Sequence, residues 1–94
     1  MKAKFIVSHI LLEQKFEAED VLRKMDEGLS FKEAAMKFSK CSSARSGGAL
    51  GVFKASRFHE SFSEAVELLP MDQVSKPVRT PFGYHLILKT PLTG

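Results

Sequence analysis

Nine consecutive residues, Lys4-Phe5-Ile6-Val7-Ser8-His9-Ile10-Leu11-Leu12, constrain the fold more than any other part of the chain. The run is apolar and rich in β-branched residues, with Ser8-His9 as its one polar interruption. Side chains alternate along a strand, so Phe5, Val7, His9 and Leu11 share one face and Ile6, Ser8, Ile10 and Leu12 the other. Both faces are mainly apolar. Such a strand belongs in the middle of a sheet, with other elements covering each side. The rest of the 94 residues must supply those elements, and a chain of that length holds one core and one domain.

The following segments read as that cover. Glu13 to Glu27 is helical: Ala18, Val21, Leu22 and Met25 recur at three- and four-residue spacing, and Gly28 stops the helix. Ser30 and Glu33 form a capping box for a short helix whose stripe is Phe31, Ala34, Ala35 and Phe38. Ser39 to Gly51, with three glycines and four serines, is a loop. A short strand is expected near Leu50–Lys54, and a third helix from about Phe58 to Leu69, where Pro70 ends it. Ser61 and Glu64 offer a second capping box. Lys76–Thr80 and Tyr84–Lys89 form a terminal hairpin around the turn Thr80-Pro81-Phe82-Gly83. The order is β-α-α-β-α-β-β, and the hairpin makes the class α+β, with helices on a small antiparallel sheet.

Composition narrows the function classes. With 44% apolar and 27% charged residues the chain is no disordered tail, rod or fibre. Its longest unbroken apolar runs, Phe5–Val7 and Ile10–Leu12, are far short of the roughly 20 residues of a membrane span. After Met1-Lys2 no stretch of leader length follows, so no signal peptide is expected. One cysteine, Cys41, excludes an internal disulfide framework and suggests a reducing compartment; the cytoplasm is expected from the missing export signals, the alternative being a domain of a longer exported protein. The net charge of +3 is spread among alternating signs. Lys2, Lys4, Arg45, Lys54 and Arg57 therefore read as a solvated surface, and nucleic acid is not an expected partner.

Two histidines carry the chemical interest. His9 and His85 each lie inside a predicted strand between apolar neighbours. One such histidine is usually a locally satisfied core residue. Two in neighbouring strands could face each other, fix their tautomers and orient a group above the sheet. Cys41 has three readings: a loop cysteine without a role, a nucleophile activated by His9 or His85, or a polar wall of a ligand pocket. Metal binding by Cys41, His9, His59 and His85 lacks paired ligand spacing, and no cofactor is expected. Leu50, Phe58 and Phe62 are apolar pocket candidates, although Phe62 also belongs to the helical stripe. His59 reads as an exposed helix-start residue.

Five segments in order resemble the parvulin family of peptidyl-prolyl cis-trans isomerases. They are Val7-Ser8-His9-Ile10-Leu11, Phe38-Ser39-Lys40-Cys41-Ser42-Ser43, Gly47-Gly48-Ala49-Leu50-Gly51-Val52-Phe53, Phe62, and Pro77 through Ile87 with its Phe82-Gly83-Tyr84-His85 core. The resemblance runs from about residue 5 to residue 90 and is to the minimal single-domain type. It implies a four-stranded antiparallel sheet with three to four helices around it and the first and last strands adjacent at its centre. It implies that His9 and His85 are the paired sheet histidines and that Cys41 holds a position carrying Cys or Asp in the family. Leu50, Phe58 and Phe62 fall on the pocket for the proline ring, and Thr80 and Phe82 on the hairpin beside the histidines. Phe58 replaces a common methionine, and Ala49 a common acidic residue. The segment Leu12-Glu13-Gln14-Lys15-Phe16 has no arginine, so no preference for phosphoserine-proline is expected. The implied activity is non-covalent isomerisation of X–Pro bonds in unfolded or flexible polypeptides, assisting folding, by a monomer. The alternative is a module that binds proline segments with little catalysis.

Overall fold

The computed structural model describes residues 4–92, so Lys2, one of the basic residues named above, lies outside them. Strand β1 (Phe5–Leu12) is followed by helices α1 (Lys15–Asp26) and α2 (Phe31–Phe38). A 3-10 turn (Ser42–Ser46), strand β2 (Ala49–Val52) and a second 3-10 turn (Ala55–Arg57) come next. Helix α3 (Glu60–Leu68) and strands β3 (Val78–Thr80) and β4 (Gly83–Pro91) complete the order. The four strands form one antiparallel sheet ordered β2-β1-β4-β3. The long apolar strand is central, as its two greasy faces require. It pairs with β4 from Phe5 opposite Pro91 to Leu12 opposite Tyr84.

The alternation of β1 divides the core in two. Ile10 and Leu12 pack with Ala18 and Val21 of α1, Ala34 and Ala35 of α2, and Leu86 of β4. Val7 faces the other way, against Phe62 and Val66 of α3 and Ile87 of β4. Two helices cover one side and one helix the other. His9 and His85 lie on the α3 side by strand parity, beside Val7 and Ile87. Lys89 reaches from β4 to close the end of α3, donating to the carbonyls of Val66 and Leu69 at 3.2 and 3.3 Å.

Local chemistry moves several predicted boundaries. Helix α1 begins at Lys15 rather than Glu13, because the Gln14 N–H is taken by Glu17 Oε1 at 3.0 Å. Ser30 Oγ accepts the Glu33 N–H at 3.1 Å, as the capping pattern anticipates. The Ser61 box does not form. Glu60 is already helical, and His59 caps α3 instead, its Nδ1 accepting the Ser61 N–H at 3.1 Å. Strand β2 begins at Ala49, and its pairing with β1 shifts register between Val7 and Ser8, where Leu50 of β2 is the extra residue. Gly83 does more than end a turn. At φ +138° its missing Cβ would stand 2.5 Å from the Leu12 carbonyl oxygen, so any other residue would push the hairpin off β1.

Candidate active site

Because β1 and β4 are paired, residues 76 apart in sequence meet on one face. His9 Nδ1 and His85 Nδ1 are 2.9 Å apart. The ring planes differ by 24° with centroids 5.0 Å apart, which places the rings edge to edge in a shared hydrogen bond. His85 Nε2 lies 2.6 Å from Thr80 Oγ1, and that oxygen accepts the Phe82 N–H at 3.2 Å. The chain of bonds therefore runs from one sheet histidine through the other into the hairpin turn.

The tautomers follow from what is left over. One Nδ1 must donate and the other accept, and a neutral ring that accepts at Nδ1 carries its proton on Nε2. His9 Nε2 is buried with no partner among the described residues. A buried N–H without an acceptor is the rarer situation in folded proteins, so His9 is better left with a bare Nε2. His9 then donates through Nδ1 to His85, and His85 donates through Nε2 to Thr80. The Thr80 hydroxyl proton stays available to a further acceptor. Burial pushes both rings from 6.5 down to about 4; at His85 the neighbouring His9 adds to that effect. The pair is neutral throughout the ordinary pH range.

Above the pair opens a cavity of about 400 Å³. Leu50, Phe58 and Phe62 form its apolar wall, and Thr80, Phe82 and Cys41 also line it. All eight residues singled out in the sequence thus border one hollow. Phe62 is buried and presents its ring at steep angles to both imidazoles, with centroids 5.8 Å from His9 and 5.2 Å from His85. Phe82 is 70% exposed at the rim. Cys41 shares the hollow but its thiol forms no hydrogen bond with either ring among the described residues; its N–H donates to Ser39 Oγ at 3.3 Å. The hydrogen-bonded set is thus His9, His85 and Thr80, with Cys41 beside it. No group of three or more His, Cys, Asp or Glu among the described residues is placed to hold a metal.

Sequence reasoning missed part of the wall. Leu11 and Arg57 also line the cavity, as does His59, which the family resemblance sets beside the pocket. Phe58 is backed by stacked rings, Phe53 at 5.7 Å and then Phe5 at 5.2 Å from Phe53, so Phe58 is held from behind while Phe62 meets it at 5.0 Å. Strand parity puts Phe5 on the His9 face and could have signalled this; nothing in the loop sequence signals Arg57.

Comparison with known proteins shows the family and the fold. A model of the Rotamase family, described as a PPIC-type PPIASE domain, matches residues 9–90. The chain is 43% identical along its whole length to the foldase protein PrsA of Bacillus subtilis, covering 32% of that protein. It is 37% identical over 93% of its length to the chaperone SurA of Methylobacillus flagellatus, covering 20% of it. The chain thus spans a third or less of these relatives. Among solved structures, PrsA from Bacillus subtilis superposes with a TM-score of 0.91 at 42% identity, over 98% of this chain and 36% of that one. The parvulin of Nitrosopumilus maritimus superposes with a TM-score of 0.85 at 33% identity, over 96% of this chain and 98% of the other.

Proposed function

The chain belongs to the PPIC-type, or parvulin, family of peptidyl-prolyl isomerases, and from that premise we propose that the hollow above His9 and His85 seats the proline of an X–Pro segment and speeds its rotation. Resonance holds the amide planar behind a barrier of about 18–20 kcal/mol, and uncatalysed exchange takes tens of seconds or longer. No bond has to break. The site must bind the twisted amide better than either planar form, and each 1.36 kcal/mol of that preference is worth about tenfold in rate. Leu50, Phe58 and Phe62 grip the ring by apolar contact. The neutral histidine pair holds Thr80 in place and puts no full charge beneath the turning carbonyl. A fixed polar group in a water-poor hollow is already oriented when the amide twists.

Cys41 acts here as a wall, since no base among the described residues is bonded to its thiol and the reaction needs no nucleophile. Leu50, Phe58, Phe62 and Phe82 touch the substrate in this reading, while His9 and His85 act through their hydrogen bonds. The substrates are unfolded or flexible polypeptides, in keeping with the foldase and chaperone names of the relatives. The reading also has a monomer working in a reducing cytoplasm. Cell fractionation and sedimentation velocity test these two points.

The observation that carries the proposal is the buried 2.9 Å contact between the two rings at the floor of an apolar cavity. Exchange spectroscopy on short Ala-Pro peptides tests it. Catalysed cis-trans exchange supports it. Peptide-induced shifts at Phe58 and His85 without faster exchange would identify a binding module instead.

A further inference from the structure

The proline cup adjoins a depression of different chemistry. Arg57 and His59, on either side of Phe58 in the chain, both line the cup. Phe82 and Thr80 line it too, and they also border a second, more polar depression that contains Glu13 and Arg79. The second depression presents both signs of charge. The wall of the cup holds no carboxylate.

That asymmetry is built in. Arg57 is the one formally charged side chain in the cavity wall, and no carboxylate lies within ion-pair distance of it among the described residues. His59 has its Nδ1 committed, because it accepts the Ser61 N–H at 3.1 Å to cap α3. The neutral ring must then carry its proton on Nε2, which makes its free edge a donor. The cap also fixes the ring in place. Glu60 follows directly in the first turn of α3, is exposed, and does not line the cavity. A guanidinium and an imidazole N–H, both lining an apolar cup whose wall holds no carboxylate, match a carboxylate.

We infer that Arg57 and His59 select substrates carrying an acidic side chain on one flank of the proline. The inference rests on the isomerase reading and adds to it which X–Pro segments are preferred. Both groups are exposed to water, so the selection is modest. Exposed charge pairs of this kind correspond to roughly two- to fivefold, and the gain fades as salt rises past the screening range.

The test compares kcat/KM for peptides that place Glu, Ala or Lys before proline, with a second series placing them after it. The wild-type protein should favour Glu over Ala by about two- to fivefold in one of the two series and disfavour Lys there. Arg57→Gln should bring the Glu-to-Ala ratio to about one. His59→Asp keeps a good cap but places an anion at the mouth, and should turn the preference toward Lys. Equal rates for Glu, Ala and Lys in both series would overturn the inference. So would an equal preference for Glu on both flanks, which the overall positive charge alone would produce. If no peptide is isomerised at all, the isomerase reading has failed. The inference is then judged by NMR shifts of the Arg57 and His59 side chains: larger with Glu peptides than with Lys peptides upholds it, and equal shifts defeat it.

Discussion

Acidification to pH 5 should destabilise this protein through its two sheet histidines while leaving their folded form neutral. In the unfolded chain each ring binds a proton near 6.5; in the fold burial holds both near 4. A depressed histidine pKa means that the unfolded state takes up protons first. The stability is therefore whole above pH 6.5 and is lost as the pH falls toward 4, below which the loss levels off. At pH 5 the unfolded chain has gained the advantage of about 1.5 pH units at each ring. At 1.36 kcal/mol per unit this is about 2 kcal/mol per ring, or about 4 kcal/mol for the pair. A domain of this size has only roughly 5–14 kcal/mol in all.

Urea unfolding at pH 7.5, 6.5, 5.5 and 5, at fixed ionic strength, reads that loss directly. The variant His59→Asn keeps a strong helix cap and removes the third imidazole, which isolates the buried pair. In the folded protein, NMR of the ring nitrogens should show His9 and His85 neutral at pH 5.5, and kcat/KM should show no step near 6.5. A urea midpoint that does not move between pH 7.5 and 5 would refute the reasoning. So would folded-state titration of either ring near 6.5, since burial would then not be setting their charge.

Three substitutions probe other links. Thr80→Val leaves His85 Nε2 and the Phe82 N–H without their shared acceptor; it should cost about 1–3 kcal/mol in urea unfolding and lower kcat more than it changes KM. Gly83→Ala places a Cβ against the Leu12 carbonyl at a φ that other residues avoid; a loss of about 1–3 kcal/mol is expected, and an unchanged melting temperature would contradict the close approach. Cys41→Asp should retain activity within about tenfold in the peptide exchange assay, whereas a thiol attacking the carbonyl would lose nearly all of it.

Much of this was open to a reader of the residues alone, for reasons that can be named. A strand greasy on both faces has to be central, and β1 is. Parity along β1 and β4 assigns His9 and His85 to particular faces from the residues alone. The resemblance to the parvulins then placed those strands side by side, which periodicity could not do, because the contact joins residues 76 apart. What stayed hidden depends on loop geometry. That His59 rather than Ser61 caps α3 turns on where Glu60 enters the helix. That Arg57 borders the cup turns on a three-residue 3-10 turn, Ala55–Arg57, which no periodic pattern announces. Gly83 looked like an ordinary turn glycine because a clash with Leu12 across the sheet leaves no local trace.

The same long-range pairing makes the site a reporter of the whole fold. Its floor is contributed by the first strand and the last, its wall by α3 and β2, and its rim by the hairpin tip. No contiguous fragment carries all three. Ordering residues so distant in the chain carries a loop-closure cost that only the complete sheet and its two cores can offset. The hydrogen bond between the two imidazoles should accordingly form late, when β4 has zipped along β1 as far as His85. It should also be lost early if the hairpin frays, because Thr80 and Gly83 tie that end of β4 to β3 and β1. Isomerase activity, core packing at Phe62 and protection of the β4 amides should then fail together.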